Sequence, residues 1–167
     1  MIGDQVPVIV NDRVDIFLAA RDQGAPVAGV HFGQLDLPAR IARRLVGEEA
    51  YLGLSAATPD ELRTAQEQGA CDHVGIGVVH PTATKADAPK SLGVNGVARM
   101  AALIDLPAVA IGGITASGLP ALRAGGLAGA AVVSAICTAE DPRSVAADLH
   151  RAWDEGCRRR ASSVRQP

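Results

Sequence analysis

The sequence predicts an α/β fold of the TIM-barrel (β/α)8 type, incomplete, with about six βα units. Three observations carry this. Short apolar runs recur along the 167 residues without strict polar alternation, as suits strands buried on both faces. Segments with helical spacing separate them, so strand and helix alternate. Polar residues collect after the carboxyl ends of many strands rather than at one crevice, which is the habit of a barrel. An open doubly wound sheet is the alternative, but no Gly-x-Gly-x-x-Gly follows the first run, which argues against a dinucleotide site.

The apolar runs are Pro7–Val10, Ala28–Phe32, Tyr51–Leu54, His73–Val79, Ala108–Ile111 and Ala130–Val133. The segment Asp12–Gln23 puts Val14, Phe17, Leu18 and Ala20 on one side of a helix. A second helix is expected over Leu37–Val46, after Asp36. Thr58-Pro59-Asp60-Glu61 is a helix start: a capping Thr, Pro at the first helical position and Glu three residues after the cap. That helix should end near Gly69. Further helices are expected over Val94–Ile104 and Ser117–Ala124, and from Asp141-Pro142 to about Asp154.

Aromatic residues make up only 2 % of the chain, so Ala, Val, Leu and Ile must build the core. A net charge of −2 implies no basic face, and nucleic acid is not an expected partner. Cys71, Cys137 and Cys157 form no CxxC pair, so reduced thiols are expected rather than disulfides or zinc. No apolar run approaches the roughly 18 residues of a membrane span, and no signal pattern opens the chain. A cytoplasmic protein without a membrane partner is the expectation. Residues 1–156 are read as one domain and 157–167 as a flexible tail.

The strand ends hold the candidate chemistry. Asn11-Asp12-Arg13 follows the first, and Gly33-Gln34-Leu35-Asp36 the second. Asp12 and Asp36 each read either as a helix cap or as a ligand for a hard cation. As a pair on neighbouring strands they suit Mg²⁺, which takes one or two carboxylates plus waters and substrate phosphates. Ser55, after the third strand, either contacts a ligand or starts a turn. Pro81-Thr82-Ala83-Thr84-Lys85 follows the fourth, where two hydroxyls and an ammonium offer donors to an anion. His80 before it reads as structural. Gly112-Gly113 and Ser134 follow the last two strands, as a tight turn or as a phosphate site of close backbone N–H groups.

The motifs VIVNDRVD (8–15), GVHFGQLDLP (29–38), GLSAATPDE (53–61), HVGIGVVHPTATK (73–85), AIGGIT (110–115) and VVSAI (132–136) together resemble the thiamine phosphate synthase family. The resemblance implies an enzyme that joins hydroxymethylpyrimidine diphosphate to a thiazole phosphate, releasing pyrophosphate. It implies a dissociative route, in which the C–O bond breaks before the thiazole nitrogen captures the methylene cation. Asp12 and Asp36 would hold Mg²⁺. Asn11 and Lys85 would contact the diphosphate, with Ser55 beside it, so that Lys85 and Ser55 carry the catalysis. Thr82, Thr84 and backbone groups of Gly113, Val133 and Ser134 would hold the thiazole phosphate. The family also has two strands before its Asn-Asp-Arg motif, with a Gln-x-Arg-x-Lys diphosphate clamp, and these are expected to lie outside this chain. His80 stands where the family often has an aromatic residue.

Two alternatives share the fold. A thiazole tautomerase relative uses a His where Ala57 stands here. A non-catalytic remnant could keep the phosphate cradle alone. The expected partners are small-molecule substrates. Self-association is also expected, through strand edges at Val8–Val10 and Ala131–Val133.

Overall fold

A computed structural model describes residues 5–82 and 90–163, with side chains through residue 158. The chain divides into two compact units, residues 1–74 and 75–167. The first holds strands β1 (Val8–Asn11), β2 (Val27–Phe32) and β3 (Tyr51–Ala56) and helices α1 (Val14–Asp22), α2 (Ala39–Val46) and α3 (Pro59–Gln68). Strand β4 (His73–Gly77) begins in it and continues into the second unit. That unit also holds α4 (Gly93–Ala101), β5 (Ala108–Ile111), α5 (Leu119–Ala124), β6 (Gly129–Ala131), α6 (Ser134–Cys137) and α7 (Pro142–Ser163). In both, sheet order follows chain order.

The ladder of the first unit is parallel. Asn11 pairs with His31, and His31 with Gly53. Because side chains alternate across a strand, Val30 and Phe32 face one way with their partners Leu52 and Leu54. All four are buried, as are Phe17 of α1 and Val46 of α2. Asn11, His31 and Gly53 share the opposite face. In the second unit β5 and β6 pair in parallel, with Ala110 against Ala130, and Val97, Leu122 and Leu127 are fully buried.

The amino-terminal ends of β3 and β4 are tied by one guanidinium. Arg43 donates to the carbonyls of Ala70, Gly47 and Ala50 and to Asp72 at 2.7 Å. Asp72 in turn accepts from the Leu52 N–H. The Arg43 side chain is only 11 % exposed, so this pair is screened less than a surface one.

Helix α3 forms as the sequence predicts. Thr58 accepts from Glu61 N–H, the Glu61 carboxylate accepts from the Thr58 and Ala57 N–H groups, and Gly69 closes the helix in the left-handed region. Other boundaries differ. Helix α1 starts at Val14 with Arg13 at its cap and no side-chain capping bond, so Asp12 does not cap it. Helix α2 starts at Ala39 behind Pro38, because Asp36 closes its own turn by accepting from Gly33 N–H at 2.8 Å. Strand β4 stops at Gly77, short of the expected Val79, and β6 stops at Ala131. The short α6 was not foreseen.

Helix α7 runs past Asp154 to Ser163, taking in residues 157–163 that the sequence assigned to a tail. Gly156 lies within this helix, and a Cβ there would sit 2.6 Å from the Pro120 carbonyl oxygen, so the glycine lets α7 approach α5 closely.

Gly53 carries a tighter constraint. A Cβ there would overlap both the His31 and the His73 imidazoles. Gly53→Ala is therefore expected to destabilise the fold by about 1–3 kcal/mol, the usual cost of overpacking. Urea denaturation measures this, with Thr58→Ala (about 1 kcal/mol from the lost cap) as comparison. Unchanged stability in Gly53→Ala would contradict the packing.

Candidate functional site

In the first unit the carboxyl ends of β1, β2 and β3 bring four predicted residues to neighbouring positions. Asn11 is the last residue of β1 and is exposed. Asp12 follows with φ 62°, a left-handed conformation that Asp tolerates better than most residues. Its N–H donates to the His31 carbonyl at 2.7 Å, while Arg13 N–H donates to the Asn11 carbonyl. The chain is thus pinned to β2 where it leaves the sheet. Arg13 and Asp15 pair with each other, and the Arg13 guanidinium holds the Asp15 carboxyl down to about 2.

Ser55, near the end of β3, is held at both its hydroxyl and its carbonyl. Its Oγ lies 2.9 Å from His31 Nε2, and its carbonyl accepts from Gln34 Nε2 at 2.7 Å. Gln34 belongs to the exposed turn that Asp36 closes, so β3 and the Asp36 turn are tied together. His31 was not singled out by the sequence reading, because it sits inside an apolar run. The available signal was its position: it alternates with Val30 and Phe32, which are both 1 % exposed. The His31 and His73 rings lie 5.5 Å apart, tilted by 34°. Burial lowers the pKa of His73 from its ordinary 6.5, with Asp72 opposing. Ala57 contributes a backbone N–H to Glu61.

The second unit gathers another set. Val79 N–H donates to the carbonyls of Ile111 and Gly112, and His80 N–H donates to the Gly112 carbonyl. Gly112 and Gly113 both have positive φ, and a Cβ on Gly113 would collide with the His80 backbone. The Pro81-Thr82 segment therefore leaves β4 beside the Gly112-Gly113 turn. Thr82 is half-buried, His80, Val133 and Ser134 are exposed, and Ser134 opens α6. Thr84 and Lys85 lie outside the described residues.

Two carboxylates, Asp12 and Asp36, suit a hard cation that takes its remaining ligands from water and phosphate. Asp36 keeps one carboxylate oxygen outside its turn bond, since only Oδ2 accepts from Gly33. Among the described residues no group of three or more His, Cys, Asp or Glu gathers to hold a metal by itself.

Parallel strands alternating with helices, with hydroxyls, carboxylates and glycines after their carboxyl ends, define a protein of the α/β barrel class. The comparisons name the family. The thiamine monophosphate synthase family model matches residues 3–136. A thiamine-phosphate synthase of Corynebacterium efficiens is 44 % identical over 156 residues, 93 % of this chain and 72 % of its own length. One from Vibrio parahaemolyticus is 44 % identical over 144 residues, 86 % of this chain and 68 % of its own. A solved thiamine phosphate pyrophosphorylase from Pyrococcus furiosus superposes with a TM-score of 0.77 at 31 % identity, covering 91 % of this chain and 69 % of that one. The chain belongs to the thiamine monophosphate synthase family.

His73 makes the stability of the fold depend on pH. Its folded pKa is depressed, so between that value and 6.5 the unfolded chain binds the extra proton. Its contribution to stability is complete above about pH 6.5 and is lost as pH falls below it. Thermal melting of the parent should drop between pH 7 and pH 5 by more than that of His73→Gln. Parallel pH profiles would contradict it.

Proposed function

We propose that this chain makes thiamine phosphate. It joins 4-amino-5-hydroxymethyl-2-methylpyrimidine diphosphate to 4-methyl-5-(2-phosphoethyl)thiazole and releases pyrophosphate. The observation that carries this reading is the registered end of β1, β2 and β3, where Asn11, Asp12, His31, Asp36 and Ser55 gather. In the reaction the methylene C–O bond breaks, with its electron pair leaving on pyrophosphate. The thiazole nitrogen lone pair then forms the C–N bond. No proton need move at either reacting atom, so no general base is required.

The chain's task is then to bind and to stabilise charge as it develops on the leaving diphosphate. Asn11 donates from its side-chain amide, Ser55 from its hydroxyl, and Lys85 supplies a cation. Asp12 and Asp36 would hold Mg²⁺, which when bound would supply positive charge to the diphosphate. Support for the metal is the chemistry of the two carboxylates and the fixed orientation of Asp36. For the thiazole phosphate, Thr82 and Thr84 donate hydroxyl hydrogens, and Gly113, Val133 and Ser134 donate backbone N–H groups. Support is the close seating of the Gly112-Gly113 turn against His80.

No helix among the described residues is long and apolar enough to cross a membrane, and soluble phosphorylated substrates suit a cytoplasmic setting. We also propose self-association through strand edges, motivated by Val8 and Ile9 of β1, each 37 % exposed; the second expected edge is shorter than read, because β6 ends at Ala131 and Val133 caps α6. Sedimentation velocity showing only monomer at high concentration would refute it.

Turnover with Mg²⁺ and both substrates, followed as thiamine phosphate formed, tests the function. Asp36→Ala and Lys85→Ala are each expected to lower kcat by about 10²–10³, the scale for removing a preorganised charge-stabilising group. Chelation with EDTA should abolish turnover, and added Mg²⁺ should restore it. Full activity in Asp36→Ala would remove this carboxylate from the mechanism.

A further inference from the structure

We propose that His31 is a positioning residue that orients the Ser55 hydroxyl toward the leaving diphosphate. The inference rests on the assignment of Ser55 to that anion. A serine hydroxyl has one proton and two acceptor lone pairs. To serve an anion it must spend the proton on the anion, and something else must occupy a lone pair to fix its rotation. His31 Nε2, 2.9 Å from Ser55 Oγ, is placed to do this by donating. With Nε2–H as donor, the serine proton is left for a diphosphate oxygen. With Nε2 as acceptor, that proton would be consumed by the imidazole.

The surroundings support a fixed ring. Gly53 leaves the room that the imidazole fills, since a Cβ there would overlap it. His73 packs beside it at 5.5 Å between centroids. Gln34 Nε2 donates to the Ser55 carbonyl, and the strand pairing of β3 with β2 fixes the backbone as far as Leu54, the residue before it. Backbone and hydroxyl are thus constrained independently.

Titration of the full chain with inorganic pyrophosphate in the presence of Mg²⁺ tests this, by calorimetry and alongside thermal melting. The variants are Ser55→Ala, His31→Ala, the double variant, His31→Gln and His31→Asn. Loss of a hydrogen bond to a charged group is expected to weaken binding about ten- to a hundredfold in Ser55→Ala. His31→Ala should lose most of the same factor, and the double variant should be no weaker than Ser55→Ala alone. His31→Gln, whose amide nitrogen reaches about as far as Nε2, should recover affinity, and His31→Asn, which is shorter, should not. Additive losses, or unchanged affinity in His31→Ala, would overturn the positioning role. So would equal behaviour of the Gln and Asn variants, a comparison that stands even if His31→Ala melts early. Unchanged affinity in Ser55→Ala would instead sink the underlying assignment of Ser55, and the positioning role with it.

Discussion

Parallel pairing puts Asn11, His31 and Gly53 at one level on one face of the sheet, and the site depends on that register. A slip of one residue would turn His31 into the apolar layer and bring Val30 or Phe32 to the polar face. The missing side chain at Gly53 completes the constraint, because two imidazoles crowd the volume it leaves. Ser55 lies two residues further along β3, on the same face, and so meets His31 directly. The site is thus built by register and by one absent Cβ, with the loops adding Asp12, Gln34 and Asp36.

The opposite ends of these strands do different work. Arg43 binds three carbonyls and Asp72, and Asp72 binds the Leu52 N–H. Four of these bonds come from one rigid fork, whose planar geometry holds several acceptors at once. This locks the starts of β3 and β4 while their carboxyl ends remain open for polar chemistry. In barrel folds generally, the amino-terminal face serves stability and the carboxyl-terminal face serves function. The first unit divides its polar groups in that way.

The alternation of strands and helices was legible in the sequence because both signals are local. The capping box at Thr58, Pro59 and Glu61 is local too, and it forms as read. Asp12 and Asp36 were ambiguous between cap and ligand, and neither caps a helix. What removes them from the caps lies outside the helices: the His31 carbonyl accepts from the Asp12 N–H, and the Asp36 carboxylate accepts from the Gly33 N–H. His31 escaped notice because its partner is 24 residues away, across a strand pairing that composition does not reveal. The run of α7 past Asp154 was not legible either, because the seating of Gly156 against the backbone of α5 is a long-range contact. Thr84 and Lys85, conspicuous in the sequence, lie outside the described residues, so their roles rest on the motif alone.

If the ends of β1, β2 and β3 form the diphosphate site, backbone amide chemical shifts followed by NMR as Mg²⁺ and inorganic pyrophosphate are added to the full chain should move most at residues 11–13, 31–36 and 55–57 and saturate together. Shifts confined to other regions, such as the basic carboxyl-terminal stretch around Arg158, would contradict that placement.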